Sequence, residues 1–83
     1  MSKKILIIED EQDIRELYAE VLRDEGFEVH EAWDGEVGSV ESLSGKYNLI
    51  LLDIMLPKKD GLQILKEFRM KKEWAKVPVV LLT

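Results

Sequence analysis

The 83-residue sequence contains no cysteine. Disulfides, thiolate chemistry and cysteine-ligated zinc are therefore excluded, and a reducing cytoplasm is the expected setting. Histidine occurs once, at His30, with no second histidine or cysteine to share a metal. His30 reads as a surface residue at a strand edge and not as a ligand. No apolar run approaches the ~20 residues of a membrane span. The start, Met1-Ser2-Lys3-Lys4, leads straight into an apolar run with no signal-peptide h-region, so neither a membrane nor a secretory route is expected. Positive charge is in deficit, with 12 Lys and Arg against 17 Asp and Glu and a net charge of −5. Phosphate contacts need a basic face, so no nucleic acid is expected to bind this segment. Linkers, internal repeats and low-complexity segments are missing as well.

What is present is a globular composition, 46% hydrophobic and 35% charged. The length sets a limit of one domain, spanning residues 1–83, with one modest core. Two runs, Ile5-Leu6-Ile7-Ile8 and Leu49-Ile50-Leu51-Leu52, lack polar alternation. They read as strands buried on both faces, the habit of a parallel sheet covered by helices. Residues 27–32 alternate more, as an edge strand does. Residues 77–82 form a fourth strand, with Pro78 near its start, where a missing N–H is tolerated.

Helical periodicity fills the gaps. Ile14, Leu17, Tyr18, Val21 and Leu22 make one stripe, read as core, after a start at Gln12-Asp13 and before a left-handed cap at Gly26. Val37, Val40 and Leu43 make a thinner stripe, weakened by Gly38 and Ser39. Leu62, Leu65 and Phe68 make a third, with Ile64 beside it. The order β-α-β-α-β-α-β implies right-handed crossovers and a parallel sheet with helices on both faces. Trp33 and Trp74 read as half-buried, Lys58 and Lys59 as solvated loop lysines, and Glu31, Glu36 and Glu41 as a solvated acidic face.

Both continuous runs end in acids: Glu9-Asp10-Glu11 after the first and Asp53 after the second. Parallel strands present their C-terminal ends on one edge of the sheet. In the order 2-1-3-4 the topological reversal falls between strands 1 and 3, where ligands bind. Glu9, Asp10 and Asp53 are expected to meet there. Three close carboxylates raise one another's pKa unless a cation neutralises them. An oxygen-only donor set suits a hard ion such as Mg²⁺. A carboxylate so placed can act as a nucleophile on phosphorus. Thr83, ending the fourth strand, can aim its hydroxyl at the same crevice. The competing reading makes these acids helix caps and solvated loop ends.

Three motifs occur in order: Ile-Ile-Glu9-Asp10-Glu11 before an amphipathic helix; Leu-Ile-Leu-Leu-Asp53-Ile-Met-Leu-Pro57 followed by Asp60-Gly61; and Val-Pro78-Val-Val-Leu-Leu-Thr83. Together they resemble the receiver domain of bacterial two-component response regulators, over the whole chain. The resemblance implies a flavodoxin-like (CheY-like) α/β fold that is not itself an enzyme. It implies that Asp53 is the phosphoacceptor, served by a sensor histidine kinase of the parent protein or by a small phosphodonor. Asp10 would ligate Mg²⁺ directly, Glu9 mainly through water, and the Met55 backbone carbonyl would be a further ligand beside Asp53. Thr83 would be the switch hydroxyl. Glu9 stands where the family often has Asp.

Receivers resemble a five-fold β-α repeat, and this chain supplies three and a half. The resemblance thus implies a receiver truncated after its fourth strand, with the fifth strand and last two helices missing. With them go the fifth-strand lysine, the coupling aromatic and normal switching. An exposed fourth-strand edge and uncovered apolar faces would favour a homo-oligomer, with Trp74 at the contact. The alternative function is an excised or engineered structural fragment that self-assembles with little or no phosphotransfer. A phosphatase with a strand-end Asp nucleophile would need a second acid two residues on, where Met55 stands.

Overall fold

The computed structural model describes residues 3–44, 46–54, 56, 60–70 and 77–82. Its elements alternate as β1 (Lys4–Ile8), α1 (Gln12–Asp24), β2 (Glu28–Ala32), α2 (Gly35–Ser44), β3 (Leu49–Asp53), α3 (Gly61–Met70) and β4 (Val79–Leu82). The strands pair in parallel in the order β2-β1-β3-β4, as expected. The register sets Ile8 beside Ala32 on one side and Leu52 on the other, and Asp53 beside Leu82.

β1 is one of the two interior strands, and its Ile5, Leu6, Ile7 and Ile8 are all buried. Burying such side chains stabilises the fold by about 1.5–3 kcal/mol each. Alternation splits them between two cores. Leu6 and Ile8 pack with Ile50, Leu52, Ile64, Phe68 and Tyr47 under α2 and α3. Ile5 and Ile7 pack with Ala19 and Val29 under α1. β3 is less symmetric than its sequence suggests: Ile50 and Leu52 are buried, whereas Leu49 and Leu51 on the α1 side are half-buried.

α1 starts at Gln12 and ends in a paired closure. Gly26 N–H donates to the Arg23 carbonyl at 3.0 Å and Phe27 N–H to Leu22 at 3.1 Å. Gly26 adopts φ 95°, the left-handed cap that the sequence predicts. Of the apolar stripe on this helix only Leu22 packs on the core, however. Ile14, Leu17, Tyr18 and Val21 are exposed, Tyr18 by 37%, so the reading of Tyr18 as core does not hold. The face toward the sheet runs through Arg15, Ala19 and Leu22, one residue or about 100° round the helix. Ala19, with no side chain beyond Cβ, sets the close approach.

Similar offsets occur elsewhere. In α2, Val37 packs on the core while Val40 is 67% exposed. The reason is Gly38, which packs so tightly on Ile8 that an added Cβ would lie 2.7 Å from two of its side-chain atoms. The glycine read as a weak point is the contact that sets the helix against β1. In α3, Ile64 and Phe68 are buried, Leu65 packs beside them, and Leu62 points out. Trp33 is exposed and not half-buried. Leu43, Lys58, Lys59 and Trp74 fall outside the described side chains.

Candidate functional site

β1 and β3 are neighbours and run the same way, so their C-terminal ends deliver Glu9, Asp10 and Asp53 to one edge. One carboxylate oxygen from each lies within 4.8 Å of the others. They line a crevice of about 350 Å³ whose rim also takes Ile14 and Tyr18 from α1 and Leu82 from β4. Asp10 is exposed, Asp53 half-buried, and Glu9 only 5% exposed.

Hydrogen bonds to the main chain hold Glu9 and the end of the strand that carries Asp53. Glu9 N–H donates to the Ala32 carbonyl at 3.0 Å, extending the β1–β2 pairing by one bond. A Glu9 carboxylate oxygen accepts the Glu11 N–H at 3.1 Å, which ties the side chain to the start of α1. Beyond Asp53, Ile54 N–H donates to the Leu82 carbonyl at 3.1 Å and the Ile54 carbonyl accepts Gly61 N–H at 3.2 Å. Asp60 caps α3, its carboxylate accepting Leu62 N–H at 2.7 Å. Gly61 sits against the Asp53 main chain, where a Cβ would overlap the Asp53 carbonyl oxygen. The start of α3 is thereby pressed onto the strand end that carries Asp53.

Electrostatics follow from this crowding. Burial pushes the Glu9 carboxyl up from its ordinary value near 4.5 to about 7, and the nearby Asp53 and Asp10 add to the rise. The bond from Glu11 N–H opposes it. A buried carboxyl beside Asp53 and Asp10 is the environment a cation relieves. The donor set is all oxygen and fits a small hard divalent ion held by Glu9, Asp10 and Asp53.

The three acids expected to converge do so. Met55 and Thr83, the other expected site residues, lie outside the described residues. Sequence reading missed Arg15 and Glu31. Arg15 donates through Nε to Glu31 at 3.2 Å and through Nη1 to the Glu9 main-chain carbonyl at 3.0 Å. Glu31 also pairs with Arg23 at 3.3 Å, and Glu41 accepts the hydroxyl of buried Tyr47 at 3.1 Å. Neither acid belongs to a merely solvated face. The available signal was spacing, since Arg15 is in helical phase with Ala19 and Leu22. His30 does lie at the surface, 2.7 Å from Glu28 and edge-on to Tyr47.

Comparison with known proteins agrees with this geometry. Residues 5–83 match the response regulator receiver domain family. The transcriptional regulatory protein DltR of Streptococcus agalactiae is 42% identical over 80 residues, which cover 96% of this chain and 35% of that protein. The chain thus spans about a third of the length of such relatives. The receiver domain of the Pseudomonas aeruginosa sensor histidine kinase PA1611, solved with magnesium in its active-site cleft, superposes with a TM-score of 0.94 at 29% identity, covering all of this chain and 68% of that one. A chain of the complex between the histidine kinase ThkA and the Thermotoga maritima response regulator TrrA superposes with a TM-score of 0.86 at 42% identity, covering 98% and 68%. The crevice between β1 and β3, the fold around it and these matches agree: the chain belongs to the response regulator receiver domain family, modules of two-component systems that are normally non-catalytic.

Proposed function

We propose that this chain is the phosphoacceptor module of a two-component response regulator, with Asp53 as the accepting residue and Mg²⁺ as the required ion. The observation that carries the reading is the convergence of Glu9, Asp10 and Asp53 within 4.8 Å at the strand ends. A sensor histidine kinase would supply the phosphoryl group, a proposal supported by the kinase–regulator complex among the structural relatives. The cytoplasm is the proposed setting.

Asp53 would work as the nucleophile. One of its carboxylate oxygens forms the new bond to phosphorus as the bond to the donor nitrogen breaks, and the donor imidazole keeps that electron pair. A small acyl phosphate would serve equally, its carboxylate leaving with the electrons. Glu9, Asp10 and Asp53 would hold the ion, with the Met55 carbonyl as a further ligand, and Thr83 would offer a hydroxyl to the new phosphoryl group. Bound there, the ion supplies positive charge for the carboxylates and for the phosphoryl oxygens. Glu9 and Asp10 position; the Asp53 main chain, wedged between β4 and Gly61, keeps the nucleophile at the mouth of the crevice.

The test is incubation with a small acyl phosphate and Mg²⁺, read by intact mass. A gain of one phosphoryl group that disappears in Asp53→Asn is expected. An Asp53→Asn protein that gains as much as the wild type would locate the chemistry elsewhere.

A second reading rests on β4. It is one of the two outer strands of the described sheet, and Val80 and Leu81 are 46% and 39% exposed. An apolar unpaired edge templates pairing with another chain. We propose that the 83-residue chain self-associates through it. Sedimentation should give a dimer or larger species that Val80→Lys shifts toward monomer. A wild-type monomer at micromolar concentration would contradict this.

A further inference from the structure

The acidic crevice depends on where the Glu9–Asp10 peptide points. At Glu9 the chain leaves the β1–β2 ladder, whose last register pair is Ile8 with Ala32. The Glu9 N–H keeps a strand partner, the Ala32 carbonyl. The Glu9 carbonyl takes a side chain in its place, Nη1 of Arg15 at 3.0 Å. A peptide unit is planar, so an oxygen held at one end orients the nitrogen and Cα of the next residue. That next residue is Asp10.

Arg15 is itself held. Its Nε lies 3.2 Å from Glu31 on β2, and the two side chains are only 13% and 25% exposed. Glu31 is gripped from its other oxygen by Arg23, whose second nitrogen donates to the Val29 carbonyl at 2.9 Å. A guanidinium is a rigid fork, so anchoring one N–H direction on Glu31 aims another at Glu9. Charge-assisted bonds of this kind in a desolvated place are the stronger sort. The pairing also spends the arginine's charge on Glu31, which keeps the guanidinium from swinging into the three carboxylates as their counter-ion.

We infer that Arg15 is a positioning residue for the metal crevice: anchored by Glu31, it holds the Glu9 main-chain carbonyl and so aims Asp10 at the ion. The inference rests on the metal-dependent reading above and adds to it a residue that touches neither ion nor phosphoryl group.

Two arginines share Glu31, and only one reaches the site, which makes the test internal. Arg15→Gln and Arg23→Gln each remove one half of the Glu31 ion pair. Mg²⁺ affinity is measured for each by calorimetric titration, with urea unfolding alongside to track stability. Arg15→Gln should weaken Mg²⁺ binding by about tenfold, the lower end for loss of an outer-shell partner, and Arg23→Gln should change it by less than about twofold. The direction is diagnostic. Deleting a cation near three carboxylates strengthens Mg²⁺ binding by Coulomb's law alone, so a loss reports lost positioning. Unchanged or tighter binding in Arg15→Gln, or an equal loss in Arg23→Gln, would overturn the inference. Should Arg15→Gln fail to fold, Arg15→Lys keeps the charge and one contact but lacks the fork, and must also weaken Mg²⁺ more than Arg23→Gln does. A wild-type protein that binds no Mg²⁺ would instead bring down the functional reading itself.

Discussion

Glu9 shows how burial and function meet in one side chain. An unfolded chain ionises this carboxyl near its ordinary value of 4.5, whereas the folded protein holds the proton to about 7. Between those values the folded state binds more protons than the unfolded one, so stability falls as pH rises and levels off above about 7. The loss amounts to about 3 kcal/mol at most. Urea unfolding at pH 5 and pH 8 in chelator should show that decline, and Glu9→Gln should flatten it. A wild-type protein equally stable at both values would contradict this assignment. Single residues were unevenly legible. Glu9, Asp10 and Asp53 could be read because each follows an apolar run, and parallel strands leave such ends no other edge. Arg15 was legible only in part: its helical phase with Ala19 and Leu22 puts it on the sheet side, but periodicity does not encode its contacts, which lie on β2 and on a main-chain carbonyl. Tyr47 belongs to neither an apolar run nor a helical stripe, yet it is buried, with its hydroxyl on Glu41.

At the scale of elements, the strands and helices follow from periodicity, but which face of each helix is buried does not. The apolar stripe of α1 runs through 14, 17, 18, 21 and 22, yet of these only Leu22 joins Arg15 and Ala19 on the side toward the sheet. Small residues decide the approach, and a hydrophobicity pattern gives them no weight. Gly38 and Gly61 are the clearest cases. Helix propensity alone makes Gly38→Ala favourable by about 1 kcal/mol. The new methyl would meet the side chain of fully buried Ile8 at 2.7 Å. Ile8 is branched at Cβ and enclosed, so the overpacking cost of about 1–3 kcal/mol should win. Gly61→Ala should cost at least as much, because its obstacle is the rigid Asp53 carbonyl. Moving the start of α3 also displaces Asp53, the proposed nucleophile, so this variant should lose phosphorylation even at temperatures where it stays folded. Gly38→Ala, at a position that does not line the crevice, should keep phosphorylation while its unfolding midpoint drops. Urea titration and intact mass on the same samples distinguish the two effects.

For the whole molecule, topology carries the function. The strand order β2-β1-β3-β4 makes β1 and β3 neighbours although α1, β2 and α2 separate them in sequence. Only that crossover brings Glu9 and Asp10 to Asp53. The order was legible because four parallel strands with intervening helices have few allowed arrangements, and an acid at two strand ends selects among them. A cation in the crevice should then stabilise the entire fold, since it binds the assembled edge and not the dispersed acids of the unfolded chain. Magnesium should therefore raise the urea midpoint, and more so above pH 7, where Glu9 is ionised. The most direct measurement of the central claim is intact mass after treatment with a small acyl phosphate, made with Mg²⁺ and again with chelator. One added phosphoryl group with Mg²⁺, and none with chelator or in Asp53→Asn, is the predicted result. Labelling that persists in chelator, or in Asp53→Asn with Mg²⁺ present, would contradict it.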